Sequence, residues 1–221
     1  MEHDIVIIDK PKGMTSFDVI RRLQKQLGIK KMGHAGTLDP MATGLMIIGV
    51  EGGTKKLKHY VGLSKTYEAE IIVGVKTDTS DIEGVMLEDV AVTDVDEQKV
   101  KTVLAGMVGI LRLPVSGYSA MKQGGEPLYK KVRSGKPFIQ PLRDMEVHSH
   151  ILKNVRMSEG KVYVRVVFEV GSGTYIRSLA EELGKRLGYP ATLGALRRTH
   201  IGEFSLGDVT TSVSESSWQK G

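Results

Sequence analysis

Strand-like and helix-like segments follow one another in this chain of 221 residues without regular strand–helix–strand alternation. Helical patterns begin near Ser16 and recur over residues 54–61, 94–107 and 174–187. Strand patterns cover residues 2–9, 45–50, 65–75, 147–152, 161–170 and 197–206. A parallel sheet needs a crossover segment between each strand and the next, which this order does not supply regularly. The order therefore predicts an α+β fold with a mixed, largely antiparallel sheet and flanking helices.

The first helix carries boundary signals at both ends. Thr15 and Asp18 have the spacing of a capping box, and Gly28 is placed to end the helix. The apolar face predicted between these ends consists of Phe17, Ile20, Leu23 and Leu27.

Residues 111–143 differ from the rest of the chain because proline, glycine and basic residues interrupt any long hydrophobic period. This composition predicts an extended insertion that carries a small helix. No internal repeat or low-complexity segment separates the other elements. We therefore expect one domain over residues 1–211, followed by a polar tail at 212–221.

The chain has no cysteine, which excludes disulfides, thiolate zinc sites and cysteine nucleophiles. His148 and His150 share one face of a predicted strand, but no third ligand accompanies them, so we predict no metal. No apolar run approaches the roughly 20 residues of a membrane span, and no basic flank marks a signal peptide. We expect a cytoplasmic protein without a membrane partner.

The net charge of +5 is unevenly distributed. Residues 77–98 contain eight acidic side chains and no basic one. The rest of the chain therefore holds 31 basic and 18 acidic side chains, a net charge of +13. The basic side chains are densest in residues 121–143, where a solvated loop and a surface that binds a phosphate backbone both fit.

Residues 33–44 read Gly-His-Ala-Gly-Thr-Leu-Asp-Pro-Met-Ala-Thr-Gly and contain one carboxylate, Asp39, among three glycines. Glycine lets the backbone bend around this side chain, and Pro40 restricts Asp39 to an extended conformation. This pattern is typical of a loop that presents a reactive group. Asp-Pro near glycine is also common turn chemistry, so a structural turn is the alternative.

Two other glycine-rich segments do not fit nucleotide-binding motifs. Gly49 to Lys55 has its glycines, threonine and lysine in the wrong order for a P-loop. Gly171-Ser172-Gly173 lacks the third glycine of a dinucleotide fingerprint. A tight turn into the following helix explains the second segment, although backbone N–H groups at the start of a helix also suit an RNA phosphate.

Four segments together resemble the TruB family of tRNA pseudouridine synthases, which isomerise uridine 55 in the T loop of tRNA. They are Lys10-Pro11-Lys12-Gly13-Met14-Thr15-Ser16, the 33–44 run, Lys65-Thr66-Tyr67 with residues 74–81, and Gly173-Thr174-Tyr175-Ile176-Arg177 with Leu196-Arg197-Arg198. Residues 118–122 and 127–129 of the insertion match as well, so the resemblance runs from Asp4 to Asp208. It implies a pseudouridine synthase-like fold in which residues 1–211 form the catalytic domain.

The resemblance implies that Asp39 is the nucleophile, and it leaves open whether the adduct forms at the ribose or at the base. It implies that Arg177 keeps Asp39 ionised in a water-poor pocket. A helix-surface pair of Arg177 with Glu181 is the alternative. Tyr67 matches the family tyrosine that stacks on the flipped uracil, with its hydroxyl available for proton transfer. A half-buried strand tyrosine is the structural alternative.

The resemblance also assigns residues that bind the substrate. His34 matches the histidine that packs where the flipped base has left, while Tyr175 and Leu196 match positions that border the uracil. In the insertion, the residues expected to contact the RNA backbone are Lys122, Lys130, Lys131 and Arg133.

The implied reaction gains and loses no atoms, so we expect no cofactor and no metal. The expected partner is the T-arm stem-loop of tRNA, and we expect a monomer. Many bacterial members continue into a C-terminal RNA-binding module, whereas this sequence stops soon after Asp208, which predicts a short form. A single Pro114 stands where the family often has paired prolines.

Two other functions are compatible with parts of the sequence. A non-catalytic RNA-binding or chaperone protein could share the fold, although it would not need Asp39, Tyr67 and Arg177 together. A hydrolase could use Asp39 and His34, although no serine or cysteine nucleophile stands beside them.

Overall fold

The computed structural model describes residues 4–119 and 121–211. The strands in these residues are β1 (Ile5–Lys10), β2 (Met32–His34), β3 (Thr43–Val50), β4 (Lys65–Val73), β5 (Val75–Thr77), β6 (Met86–Asp89), β7 (Gly109–Pro114), β8 (Lys122–Gln123), β9 (Glu126–Pro127), β10 (Leu142–Ser158), β11 (Lys161–Val170), β12 (Ala191–Ile201) and β13 (Phe204–Ser205). The α-helices are α1 (Ser16–Leu27), α2 (Leu57–Gly62), α3 (Glu97–Ala105), α4 (Leu128–Arg133) and α5 (Ile176–Leu187). Short 3-10 helices cover Glu51–Lys56 and Leu206–Asp208.

The chain divides into two compact units. The terminal unit consists of Met1–Glu68 and Leu196–Gly221, and the central unit consists of Ala69–Ala195. Strand β4 begins in the terminal unit, and β12 ends in it. The single catalytic domain expected over residues 1–211 stays a prediction, and the tail at 212–221 lies outside the described residues.

The terminal unit is built on strands in the order β1-β3-β12, with β2 beside β3 and β13 beside β12. β1 runs antiparallel to β3, whereas β12 runs parallel to β3 at Arg197↔Thr43. The sheet is therefore mixed, as predicted. Buried side chains from β1, β3, β12 and the loop after β2 form a small core of Ile7, Ala35, Leu45, Ile47 and Ile201.

Helix α1 begins and ends where its signals predict. The Thr15 hydroxyl accepts a hydrogen bond from the Asp18 N–H at 3.0 Å, and Asp18 accepts one from the Thr15 N–H. Gly28 ends the helix with φ 68°. The apolar face differs from the prediction, because Phe17 is 61% exposed. Ser16 is buried beside this face instead, where its hydroxyl bonds to the backbone of Leu38.

The central unit contains strands in the order β4-β11-β10-β7, in which β10 runs antiparallel to both β11 and β7. β11 covers the predicted residues, and its alternate side chains Val162, Val164, Val166 and Phe168 are at most 1% exposed. β10 is much longer than the predicted 147–152. Its added residues are mostly exposed, so they carry little hydrophobic pattern, and pairing with β7 and β11 keeps them extended.

The predicted insertion of residues 111–143 is framed by two sheet strands. β7 and β10 pair Leu142 with Pro114 and Arg143 with Leu113, so both ends of the segment belong to the sheet. The predicted small helix is α4, which follows the short β8–β9 hairpin. β12 was predicted over residues 197–206 but starts at Ala191, and a turn separates it from β13.

Candidate active site

Asp39 lies in the loop that connects β2 to β3. Pairing of Gly33 with Gly49 and of His34 with Ile48 brings these strands together and closes the loop between them. Asp39 is half-buried, and Pro40 is exposed. The Asp39 carbonyl accepts a hydrogen bond from the Ala42 N–H at 3.1 Å, which forms a tight turn. The loop is therefore both short and ordered around its carboxylate.

Residues of β1, of α1 and of the segment between them bind the middle of this loop. The Ser16 hydroxyl accepts a hydrogen bond from the Leu38 N–H at 2.8 Å and donates one to the Leu38 carbonyl at 3.1 Å. The Pro40 carbonyl accepts hydrogen bonds from the Gly13 N–H at 2.8 Å and from Lys10 Nζ at 3.3 Å. Both neighbours of Asp39 are thus fixed to the body of the terminal unit.

Two glycines of the loop have backbone conformations that other residues rarely adopt. Gly36 has φ 94° and Gly44 has φ 108°. A Cβ at Gly44 would lie 2.2 Å from the Arg198 carbonyl oxygen, so glycine is required where β3 meets β12. This spacing explains the glycine at the end of the 33–44 run.

His34 lies at the start of the loop and is half-buried. Burial lowers the pKa of His34 below 6.5, and the nearby charge of Arg198 lowers it further, while a backbone hydrogen bond with Gly36 acts in the opposite direction. The structure therefore favours the neutral form of the His34 ring. A neutral ring suits the predicted role of packing in a base stack.

Tyr67 and Leu196 lie on β4 and β12 in the terminal unit, with relative exposures of 7% and 9%. Lys65 is also buried, and its Nζ donates to the carbonyls of Val61 and Leu63, both at 2.6 Å. Burial and the nearby Arg198 lower the pKa of Lys65 to about 8. This strand therefore presents buried polar groups beside Tyr67.

Arg177 lies in the first turn of α5 in the central unit and is only 4% exposed. Its Nη1 donates to the Thr79 carbonyl at 2.9 Å and to the Ser116 hydroxyl at 3.3 Å, and its Nη2 donates to the Tyr118 carbonyl at 3.2 Å. Asp81 Oδ2 lies 3.7 Å from Nη1. The alternative of a helix-surface pair with Glu181 is wrong, because Arg177 is buried.

Residues 78–81 belong to one of the segments that resemble the family, and they form a turn. This turn is hydrogen-bonded to several elements of the central unit. The Ser80 hydroxyl donates to Glu181 Oε1 at 2.7 Å. Asp81 accepts hydrogen bonds from the Thr79 hydroxyl and the Glu83 N–H. The Tyr118 hydroxyl donates to Asp78 at 2.9 Å, and this bond raises the pKa of Tyr118. These contacts build a rigid surround for Arg177.

Tyr175 is the residue that precedes α5 and is half-buried, with its carbonyl accepting from the Ser178 and Leu179 N–H groups. In the insertion, Lys122, Lys130 and Arg133 are exposed, and Lys131 is half-buried. Arg133 lies over the Tyr129 ring, 5.8 Å from its centroid. The exposed cations are accessible to a polyanion.

The structure places the proposed site residues in two groups. Asp39, His34, Tyr67 and Leu196 belong to the terminal unit, whereas Arg177, Tyr175 and the basic residues of the insertion belong to the central unit. Sequence analysis missed the supporting roles of Ser16, Arg198, Asp81 and Tyr118. The sequence signal available for these four residues was their position within the segments that resemble the family.

Two negative findings concern the part of the chain that the structure describes. In residues 4–119 and 121–211, no three histidine or carboxylate side chains are grouped as metal ligands would be. No helix in the same ranges has the length and hydrophobicity needed to cross a membrane.

Comparison with known proteins gives matches over most of the chain. The family model described as TruB family pseudouridylate synthase (N terminal domain) matches residues 24–176. The tRNA pseudouridine synthase B of Paenarthrobacter aurescens (strain TC1) is 42% identical over 209 residues, covering 94% of this chain and 67% of that protein. The tRNA pseudouridine synthase B of Corynebacterium diphtheriae is 38% identical over 210 residues, covering 94% and 70%.

Two solved structures share the fold. A chain of an H/ACA RNP bound to a substrate RNA containing 2'-deoxyuridine has a TM-score of 0.69 and 25% identity, with 95% of this chain and 50% of that chain covered. A chain of a Cbf5-Nop10-Gar1 complex has a TM-score of 0.68 and 28% identity, with 95% and 52% covered. The present chain thus spans about half the length of these solved chains. These similarities confirm the predicted fold class.

Proposed function

The chain belongs to the TruB family of pseudouridine synthases, and on that premise we propose that it isomerises uridine 55 in the T loop of tRNA to pseudouridine. One observation carries the proposal. The half-buried Asp39 is held in a loop whose glycines, Ser16 and Lys10 fix the residues on both sides of it. These contacts support a fixed position for the Asp39 carboxylate.

The reaction requires a nucleophile and proton transfers but no net change of atoms. The C–N glycosidic bond breaks, the uracil turns, a C–C bond forms, the proton on C5 is released to solvent, and N1 takes up a proton. An aspartate carboxylate can form the transient covalent adduct, at the ribose or at the base. The proposed chemistry therefore uses side chains of this protein and requires no cofactor.

Arg177 is the proposed cation that keeps Asp39 ionised. Burial disfavours the charged form of a carboxyl group, whereas a nearby guanidinium favours it. The contacts of Arg177 with Thr79, Ser116 and Tyr118 support this role, because they hold a buried guanidinium in one orientation.

Residues with rings or apolar side chains are proposed to receive the flipped uridine. Extrusion of a base costs a few kcal/mol. Stacking on one aromatic ring returns about 1 to 3 kcal/mol, so stacking on Tyr67 offsets much of that cost. His34 is proposed to fill the vacated stack, and Tyr175 and Leu196 are proposed to border the uracil.

The insertion is proposed to bind the phosphate backbone of the T arm. Lys122, Lys130 and Arg133 are exposed to solvent and Lys131 is half-buried, which supports electrostatic binding of RNA. We propose that this activity is cytoplasmic. The proposed site uses one copy of the chain, so we expect a monomer.

The test measures release of tritium from a T-arm stem-loop RNA labelled at C5 of uracil. We expect the wild-type protein to release tritium and to form pseudouridine, and Asp39→Asn to bind RNA without turnover. Asp144→Asn is the control, because Asp144 is exposed and pairs with Arg112. RNA binding by the wild type without tritium release would favour a non-catalytic RNA-binding protein. Release of free uracil would favour a hydrolase.

A further inference from the structure

The side chain of Arg198 connects the two ends of the Asp39 loop. Arg198 is 1% exposed and lies on β12. Its Nη2 donates to the Gly36 carbonyl at 3.1 Å, and its Nε donates to the Leu45 carbonyl at 2.8 Å. Gly36 precedes Asp39 and Leu45 follows it. One guanidinium thus fixes the separation between the two ends of the nucleophile loop.

The backbone of Arg198 is equally close to the loop. Arg198 pairs with Gly44 in the parallel ladder between β12 and β3. A Cβ at Gly36 would lie 3.4 Å from Arg198 Nη1, and one at Gly44 would lie 2.2 Å from the Arg198 carbonyl oxygen. The two glycines therefore provide the space that the arginine occupies.

Arginine is well suited to this position. Its guanidinium stays protonated even when buried, and its planar fork offers several N–H donors in fixed directions. Hydrogen bonds from a charged donor are roughly twice as strong as neutral ones. The same charge acts on His34 at the start of the loop, whose pKa it lowers.

We propose that Arg198 is a positioning residue for the nucleophile, because it holds both ends of the Asp39 loop and so limits Asp39 to one position. This inference rests on the proposed role of Asp39. The bonds of Ser16 and Gly13 to the middle of the loop do not involve Arg198, so loss of its side chain leaves the loop attached but less fixed.

The experiment compares Arg198→Met, which keeps a long apolar side chain, with Arg198→Lys, which keeps the charge but lacks the fork. Arg112→Met is the control, because Arg112 is an exposed arginine of a surface pair. Four quantities are measured: the melting temperature, the RNA dissociation constant, the single-turnover rate at saturating RNA, and the His34 titration by NMR.

A misplacement of about 1 Å costs roughly 100-fold in rate, and we expect a loss of that order in Arg198→Met. RNA affinity should stay within about threefold, because the proposed role concerns the reacting geometry and not binding. The His34 pKa should rise in Arg198→Met and stay low in Arg198→Lys, which should also recover part of the rate. A purely structural role of Arg198 would not lower the rate while leaving the RNA affinity unchanged.

A folded Arg198→Met protein with the wild-type rate would overturn the proposal, as would a rate loss explained entirely by weaker RNA binding. If Arg198→Met does not fold, the rate of Arg198→Lys tests the proposal. A wild-type rate in this variant, which lacks the planar guanidinium, would contradict the inference. If the wild type is itself inactive, the proposed function fails, and exchange of the Leu38 and Ala42 amide hydrogens decides instead. Faster exchange in the variant supports positioning, and unchanged exchange overturns it.

Discussion

The hydroxyl of Ser16 forms two hydrogen bonds with the backbone of Leu38, one accepted from its N–H and one donated to its carbonyl. Leu38 is the residue before Asp39, and both partners are buried. The start of α1 is thereby joined to the nucleophile loop, 22 residues further along the chain.

Ser16→Ala should destabilise the protein and slow its reaction. The variant leaves a buried N–H and a buried carbonyl without this partner, which costs about 1 to 3 kcal/mol for an unsatisfied group. Urea unfolding and single-turnover rates measure the two effects. Thr102→Ala is the control, since Thr102 is exposed and its hydroxyl donates to the Gln98 carbonyl of the same helix. Equal losses in the two variants would contradict this account.

Tyr67→Phe should bind RNA as the wild type does but react more slowly. The ring remains available for stacking, while loss of a hydroxyl that transfers a proton costs about 10²- to 10⁴-fold in rate. Tyr67→Leu should in addition lose about 1 to 3 kcal/mol of stacking. Binding and rate are measured with the same stem-loop, and Tyr163→Phe on β11 serves as the control. An unchanged rate in Tyr67→Phe would remove the hydroxyl from the mechanism.

His34 should make the protein less stable as the pH falls below 6.5. The folded state lowers the pKa of His34 below that ordinary value, so in this window the unfolded chain binds a proton that the folded chain does not. Stability therefore decreases from pH 6.5 down to the folded pKa and is unaffected by His34 at higher pH. Urea unfolding of the wild type and of His34→Gln, compared over this range, isolates the effect. A difference that is independent of pH would contradict it.

Asp81→Asn should lower the free energy of unfolding. Asp81 and Arg177 are buried, and removing one partner of a buried ion pair costs about 3 to 5 kcal/mol. We expect the lower end of this range, because the closest nitrogen–oxygen distance is 3.7 Å. The exposed pair of Arg112 and Asp144 is the matched control, and Asp144→Asn should change stability by less than about 0.5 kcal/mol. Similar costs at both pairs would show that burial is unimportant here.

Replacement of the insertion's cations by glutamine should weaken RNA binding and flatten its salt dependence. Each lost phosphate contact lowers the slope of log affinity against log salt by about 0.7 to 0.9. The substituted residues are Lys122, Lys130, Lys131 and Arg133. Lys101→Gln is the control, because Lys101 is exposed on α3 and pairs with Glu97. If the slope stays at the wild-type value, the insertion is a solvated loop.

The sequence predicted elements whose signals are local. The capping box of Thr15 and Asp18 and the β-branched alternation of β11 act within a few residues, so both elements were predicted correctly. The length of β10 was underestimated, because its exposed residues carry little hydrophobic pattern and are held extended by pairing with β7 and β11.

The sequence by itself determined the chemical groups available to this protein: one carboxylate in a glycine-rich loop, an arginine and a tyrosine within matching segments, and no thiol. The tertiary structure determined which contacts hold these groups in place. Arg198 reaches the Gly36 carbonyl across 162 residues, and Arg177 reaches the Thr79 carbonyl across 98. Contacts between residues so far apart in the sequence depend on how strands and helices pack. No local sequence pattern specifies which backbone carbonyl a buried guanidinium contacts.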